Sequence, residues 1–202
     1  FKAGAFCGLA LFTAMSLQQY SMISASAGKA GFISALYIIF VPLISMFFGA
    51  KLENKIKVSV GLALVGLYLL CFKGGLTGFD MYDGLLLIGA FFYGVHILVV
   101  NHFSRHVNPV KMSCVQFFVV GLLSLPFMLM FENPVAANFM AAKTPILYAG
   151  ILTCGVAYTL QIFGQKFTPP TIASIILCME SVFAVVGGSL ILHETMTPRE
   201  VW

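Results

Sequence analysis

Charge is what this chain has least of. Only 9% of its 202 residues are charged, 60% are apolar, and the mean hydropathy is +0.99. Soluble domains average about 25% charged residues, so a chain of this composition cannot cover itself with a polar surface. A soluble globular fold is excluded. The net charge of +4 is small and is not gathered into a basic cluster. That removes the electrostatic footprint of a nucleic-acid binder. The five cysteines, Cys7, Cys71, Cys114, Cys154 and Cys178, form no CxxC pair and show no zinc-ligand spacing. They read as small buried hydrophobes, with no metal and no disulfide expected. A GxxxxGKS/T loop is absent, and so is a soluble segment that could hold ATP. No paired acids, clustered His/Asp set or nucleophile–base pair stands out, so neither a cofactor nor enzymatic chemistry is expected.

Long apolar runs fill the chain instead. Seven can be marked, each roughly 17–23 residues and long enough to cross a bilayer. They are about Ala3–Ile23, Ala30–Ala50, Val58–Phe72 (short but extendable), Gly84–Val100, Met112–Phe131, Thr144–Gln165 and Thr171–Leu192. Irregular backbone cannot face lipid, so these runs predict helices and an all-α polytopic membrane protein. The first run has no basic leader and no clear cleavage site, which argues against a signal peptide. A start at Phe1 and a polar ending at Thr197 to Trp202 suggest a piece of a longer membrane protein.

Seven alternating spans sort the loops into two sets. One holds Lys2, Lys51, Lys55, Lys57, Arg105, Lys111 and Lys166 with Glu53 as its acid. The other holds Lys29, Lys73, Lys143 and Arg199 against Asp80, Asp83, Glu132, Glu194 and Glu200. Cytoplasmic loops carry the excess of Lys and Arg, so the first set is expected inside.

Within the seventh run one acid interrupts the apolar sequence. Glu180 would lie roughly 14 Å from the nearer end of a helix over Thr171 to Leu192, close to the bilayer midplane. Acids at that depth cost at least a few kcal/mol on insertion scales and mark functional sites by default. A carboxyl whose protonation follows its access to water can couple proton flow to solute flow. It can equally bind an ammonium group or serve as a structural acid hydrogen-bonded across helices.

The chain also echoes itself at an offset of about 143 residues. Leu17-Gln18 then meets Leu160-Gln161, Tyr20 meets Phe163, Ala30 meets Ala173, Ile33 meets Ile176 and Phe40 meets Phe183. Five spans separate the paired segments, so the copies would run in opposite orientations. Inverted repeats are a transporter signature, with the solute site near the midplane at the repeat interface.

Two stretches carry a resemblance, AGKAGFISALYIIFVPLISMFFG (Ala27 to Gly49) and TIASIILCMESVFAVVGGSLILHETM (Thr171 to Met196). The chain resembles, over essentially its whole length, the EamA-like branch of the drug/metabolite transporter superfamily. Ser181 stands where that family usually has proline after the acid, so the resemblance does not carry a kink beside Glu180. It implies a ten-helix bundle of two inverted five-helix repeats with both termini cytoplasmic. On that plan the chain is helices three to nine, truncated at both ends, with 1–78 in the first repeat and 79–202 in the second. It further implies a multi-pass protein of the bacterial inner membrane that moves, often by export, an amino acid, metabolite or drug.

Other polar residues on the spans join the candidate pathway. Tyr158, Gln161 and Gln165 share one helical face at i, i+3, i+7 spacing, and the first span offers Gln18 and Gln19. Buried amides of this kind either bind solute or act as interhelical glue. His96, with Tyr93 one turn before it, can relay a proton or simply be a satisfied interior residue. His102 and His106 have metal-like i, i+4 spacing, but no further ligand accompanies them and an interfacial anchor suits them better. Tyr37, Phe40, Phe91, Phe92, Tyr93, Phe163 and Phe183 are candidates for a cavity wall or for packing. Gly4 and Gly8 should let helices approach closely, and Pro42 should interrupt the second span.

The expected pathway is therefore Glu180, Gln161, Tyr158, Gln18 and His96 in a secondary transporter working by alternating access. Its expected partners are a small-molecule solute and lipid, with protons and a homodimer left open. A non-transporting scaffold or sensor is the alternative, and it would tolerate loss of Glu180. A membrane-embedded enzyme is the weaker one.

Overall fold

Helix starts along this chain are written in short polar residues ahead of apolar runs, and the computed structural model shows how each is used. It describes residues 1–25, 27–49, 54, 55, 58, 61, 62, 65, 80–132, 135–180, 183 and 187. Most of the expected third span, Cys71, Ser181 and most of the later part of the seventh span lie outside the described residues. Among the described residues there are helices and no strands.

Helix α1 spans Lys2–Ser21. It is followed by α2 (Ala27–Ser34) and α3 (Tyr37–Phe47), which together run as one apolar length from Lys29 to Phe47. The interruption falls at Ala35 and Leu36, earlier than the expected break at Pro42. There Ile38 N–H donates to the Ala35 carbonyl at 3.0 Å and Ile39 N–H to the Leu36 carbonyl at 2.9 Å. These i to i−3 bonds tighten the turn in 3₁₀ fashion. Pro42 stays inside α3 and is buried, so the kinking residue in the sequence is not where the helix breaks.

Helix α4 (Met81–Ser104) starts on a reciprocal cap: Asp83 N–H donates to Asp80 Oδ1 at 2.9 Å and Asp80 N–H to Asp83 Oδ2 at 3.2 Å. That is the two-way arrangement of a capping box, made by two aspartates. Its buried residues Asp83, Leu86, Ala90, Gly94, Ile97 and Val100 recur at three- and four-residue spacing, which defines one inward stripe. Helix α5 (Pro109–Phe131) is capped by Asn108, whose Oδ1 accepts from the N–H groups of Val110 at 3.0 Å and Lys111 at 3.3 Å. Proline at the first helical position suits that start, because its missing N–H had no intrahelical partner to lose. Two short helices follow, α6 (Ala136–Ala141) and α7 (Lys143–Leu147). A π-helical segment, Tyr148–Ala157, then leads into α8 (Tyr158–Phe167), and α9 covers Pro170–Leu177.

Four of these lengths are long and apolar enough to cross a membrane: Lys29–Phe47, Met81–Ser104, Pro109–Phe131 and Lys143–Phe167. With the apolar composition they make this a multi-pass all-α membrane protein. Phe118, Leu122, Leu125, Phe127, Leu129 and Met130 of α5 are exposed, an apolar surface that lipid rather than water must cover.

The described chain forms two compact units, one of Phe1–Phe12 with Val99–Pro169 and one of Thr13–Leu98 with Pro170–Trp202. Their boundaries fall inside α1 and α4, whereas the 78/79 junction implied by the resemblance divides repeats and not compact units. Compactness and internal repetition are different properties. In the first unit Ala3, Cys7, Val100, Met112 and Ile162 pack together. Here Gly4 and Gly8 act as expected: a Cβ on Gly8 would stand 2.7 Å from the Gln116 carbonyl oxygen, and one on Gly4 2.6 Å from Val115 Cβ. Small residues at such crossings let helix backbones approach in a membrane. In the second unit one cluster joins Ala30, Ile33, Leu36, Ile39, Leu86 and Ala90, and another joins Tyr37, Val41 and Ile97.

Candidate solute-binding site

Glu180 lies just past the end of α9, and α9 packs on α3. A hydrogen bond marks the crossing: Cys178 Sγ donates to the Ala35 carbonyl at 3.4 Å. That carbonyl sits at the broken turn between α2 and α3, and it also accepts from Ile38 N–H. The two residues are 143 positions apart, which is the offset of the internal echo. Applied to the next pair, the same offset makes Tyr37 the counterpart of Glu180. Tyr37 and Glu180 thus stand two residues beyond the two ends of that hydrogen bond.

The second unit also gathers aromatic and polar side chains from α1, α3 and α4. The rings of Tyr37 and Tyr93 meet edge-on with centroids 6.5 Å apart, and those of Phe40 and Phe91 with centroids 5.7 Å apart. Tyr93 O–H donates to Gln18 Oε1, joining α4 to α1. Tyr37 is 6% exposed, and among the described residues its hydroxyl has no hydrogen-bond partner. His96 follows Tyr93 on α4 and is buried. Glu180 itself is exposed. Three of the expected pathway residues, Glu180, Gln18 and His96, thus belong to one compact unit.

The other two belong to the first unit. Tyr158 and Gln161 are half-buried on α8, and the Tyr158 ring meets Phe117 at 5.2 Å. Gln165, on the same face, is 2% exposed, and neither polar atom of its amide has a partner. Its backbone carbonyl is engaged, accepting from Asn101 Nδ2 at 3.2 Å, and the same amide nitrogen donates to the Thr168 carbonyl at 2.9 Å. Thr159 Oγ1 donates to Ser113 Oγ at 2.8 Å. Two clefts of this unit, about 340 and 400 Å³, are lined by neither Tyr158 nor Gln161. His102 and His106 are both exposed, and α4 ends at Ser104, so their helical spacing is not realised.

Sequence reading did not anticipate one further pair. Lys29 Nζ lies 2.7 Å from Asp83 Oδ1 and 2.8 Å from Oδ2, with Asp83 wholly buried and Lys29 26% exposed. The available signal was that both residues had been sorted to the same side of the membrane with opposite charge. Tyr37 also escaped the expected pathway, although the 143-residue offset singles it out as the counterpart of Glu180.

Comparison with known proteins agrees with this architecture. Residues 81–202 match the EamA-like transporter family, and this stretch is more than half of the chain. The chain belongs to the EamA-like transporter family. Among its relatives is an uncharacterized transporter of Archaeoglobus fulgidus, 34% identical over 98% of this chain and 63% of its own length. The uncharacterized transporter YoaV of Bacillus subtilis is 25% identical over 91% of this chain and 64% of its own length. The chain therefore spans a little under two thirds of the length of these EamA-like relatives. A solved crystal structure shares the fold with a TM-score of 0.66 at 18% identity, covering 98% of this chain and 69% of the other.

Proposed function

We propose that this EamA-like protein is a secondary transporter, exporting a small organic solute such as an amino acid, metabolite or drug by alternating access. It acts in the cell (inner) membrane and without enzymatic chemistry. Glu180 is the coupling or solute-charge group, and protons are the exchanged ion. Gln18 and His96 line the same pathway, and Tyr158 and Gln161 contact solute within their own unit.

One observation supports this reading most. In two copies related by a two-fold axis, a contact between a residue and its own counterpart lies on that axis. The Cys178–Ala35 hydrogen bond joins residues separated by the repeat offset, and Tyr37 and Glu180, with the same separation, lie on the two segments that this bond ties together. Inverted-repeat transporters hold their solute at the repeat interface near the midplane. An accessible carboxylate at such an axis faces whichever side is open, so its occupancy can follow the conformational cycle.

The test is flux in proteoliposomes under an imposed pH gradient, with the protein at its full natural length. Amino acids, polyamines and drug cations form the panel, and Glu180→Gln is compared with the unsubstituted protein. The reading expects gradient-driven flux that falls about ten-fold or more in a monodisperse Glu180→Gln protein. Equal flux in both removes Glu180 from the mechanism. No gradient-driven flux for any solute removes transport.

A further inference from the structure

The chemistry around Glu180 narrows the solute class, and the step rests on the transport reading just given. Helices α3, α4 and α9 carry no Lys or Arg. The cation of α2, Lys29, is held against both oxygens of Asp83. Among the described residues of these helices a solute carboxylate or phosphate would therefore meet Glu180 with no free Lys or Arg, and like charges in a low dielectric repel strongly.

Hydrogen-bond polarity leads the same way. Tyr93 has already given its proton to Gln18 Oε1, so its oxygen is left as an acceptor. An ionised Glu180 offers acceptors only. The Tyr37 hydroxyl, buried and without a partner, adds an acceptor as well as a proton. A buried polar group in that state costs free energy until something reaches it. Tyr37, Tyr93 and Glu180 together offer more acceptors than donors, which suits a ligand that brings N–H groups. The Tyr37–Tyr93 ring pair offers aromatic surface, and Phe40, one turn along α3 from Tyr37, adds its pair with Phe91. Ring faces attract ammonium groups and cover apolar ones.

We propose that this site takes a small organic cation, a protonated amine on an apolar or aromatic body. Its ammonium is held by Glu180, Tyr37 and Tyr93, and its body rests on Phe40 and Phe91. The counterpart positions of the two repeats then differ in chemistry, phenol in one and carboxylate in the other, so the ligand binds in one orientation.

Three probes of nearly equal size separate the charge states: phenethylammonium, 2-phenylethanol and phenylacetate. Their binding to the detergent-solubilised full-length protein is measured by isothermal titration calorimetry. Phenethylammonium should bind, with 2-phenylethanol at least about ten-fold weaker and phenylacetate undetected. Glu180→Gln should weaken the ammonium about ten-fold or more, whereas Glu180→Asp, which keeps the charge, should stay within about three-fold. Tyr37→Phe should weaken it about two- to five-fold without lowering the melting temperature, since a hydroxyl that has no partner in the free protein is removed. Absence of ammonium binding, equal binding of the alcohol, preferential binding of phenylacetate, or an unchanged affinity in monodisperse Glu180→Gln overturns the assignment. Gradient-driven flux confined to neutral or anionic solutes overturns it too and leaves transport standing. Ammonium binding without flux of any solute does the reverse.

Discussion

In one compact unit Asn101 donates to two carbonyls at the end of α8; in the other, Tyr37 keeps a buried hydroxyl that touches no partner and Glu180 stays open. Both units are built from apolar helices with a few polar side chains, so composition does not separate them. Partnering does. Asn101 satisfies backbone groups that the end of a helix leaves unpaired, which is structural work. Tyr37 and Glu180, at counterpart positions of the 143-residue echo, have capacity left over, which is what a binding site needs. The Lys29–Asp83 pair shows that the distinction runs through the units and not between them. It lies in the same unit as Glu180, yet both of its charges are matched.

The sharpest way to break this comparison is to unmatch a matched group. Lys29→Ala leaves the fully buried Asp83 without its cation. Breaking a buried pair costs about 3–5 kcal/mol, and the partial exposure of Lys29 sets the expectation at the lower end. The denaturation midpoint in detergent should drop accordingly. The double variant Lys29→Met/Asp83→Leu should recover most of the loss, because a well-packed apolar pair removes the orphaned charge. Failure to recover would mean that the Asp83 cap on α4 carries the stability.

Next in size is Gly8→Ala. Its Cβ would meet a backbone carbonyl at 2.7 Å and Val119 Cβ at 2.8 Å, so rotamer changes cannot relieve it. Overpacking of this kind costs about 1–3 kcal/mol, visible as a lower melting temperature. Asn101→Ala should cost about 1 kcal/mol, two hydrogen bonds at the modest strength they have in membranes. If Asn101 is structural, solute flux per folded molecule should be unchanged, and a selective loss of flux would make it part of the pathway. The smallest expected effect is that of Gln165→Leu. Its amide is buried with no partner for either polar atom, so an apolar replacement of similar size should be neutral or slightly stabilising. A loss of transport with unchanged stability would put this open amide in the same class as Tyr37.

Much of the scaffold was legible from hydropathy. The runs read as Gly84–Val100, Met112–Phe131 and Thr144–Gln165 are realised as Met81–Ser104, Pro109–Phe131 and Lys143–Phe167. The extra residues at their starts are caps: Asp80 and Asn108 extend helices into stretches whose polarity reads as loop. What hydropathy misses is pairing. Lys29 and Asp83 read as two solvated topology markers because neither shows its partner in sequence. Pro42 reads as the break in its span, whereas the broken turn is at Ala35, where a neighbouring helix supplies the thiol that bonds the carbonyl. Such a bond depends on tertiary packing, which no local pattern encodes. Glu180 was legible as an acid among apolar residues. The company it keeps was half legible, in the 143-residue echo that aligns it with Tyr37.

The π-helical segment Tyr148–Ala157 bears on how the protein fits its bilayer. The length from Lys143 to Phe167 is 25 residues, and as a regular α-helix it would reach about 37 Å, past a hydrocarbon core about 30 Å thick. A helix with that mismatch must tilt, kink or thicken the lipid around it. Wider turns bonded i to i+5 take up more residues per turn, so the segment shortens the span without tilting it. It also sets the phase of everything after it. Were the ten residues of that segment to rewind into α geometry, α8 would turn about its own axis as the span lengthened. Tyr158, Gln161 and Gln165 would then face a new direction. Bilayer thickness would thereby act on the orientation of three polar side chains, making membrane composition a mechanical input to this helix.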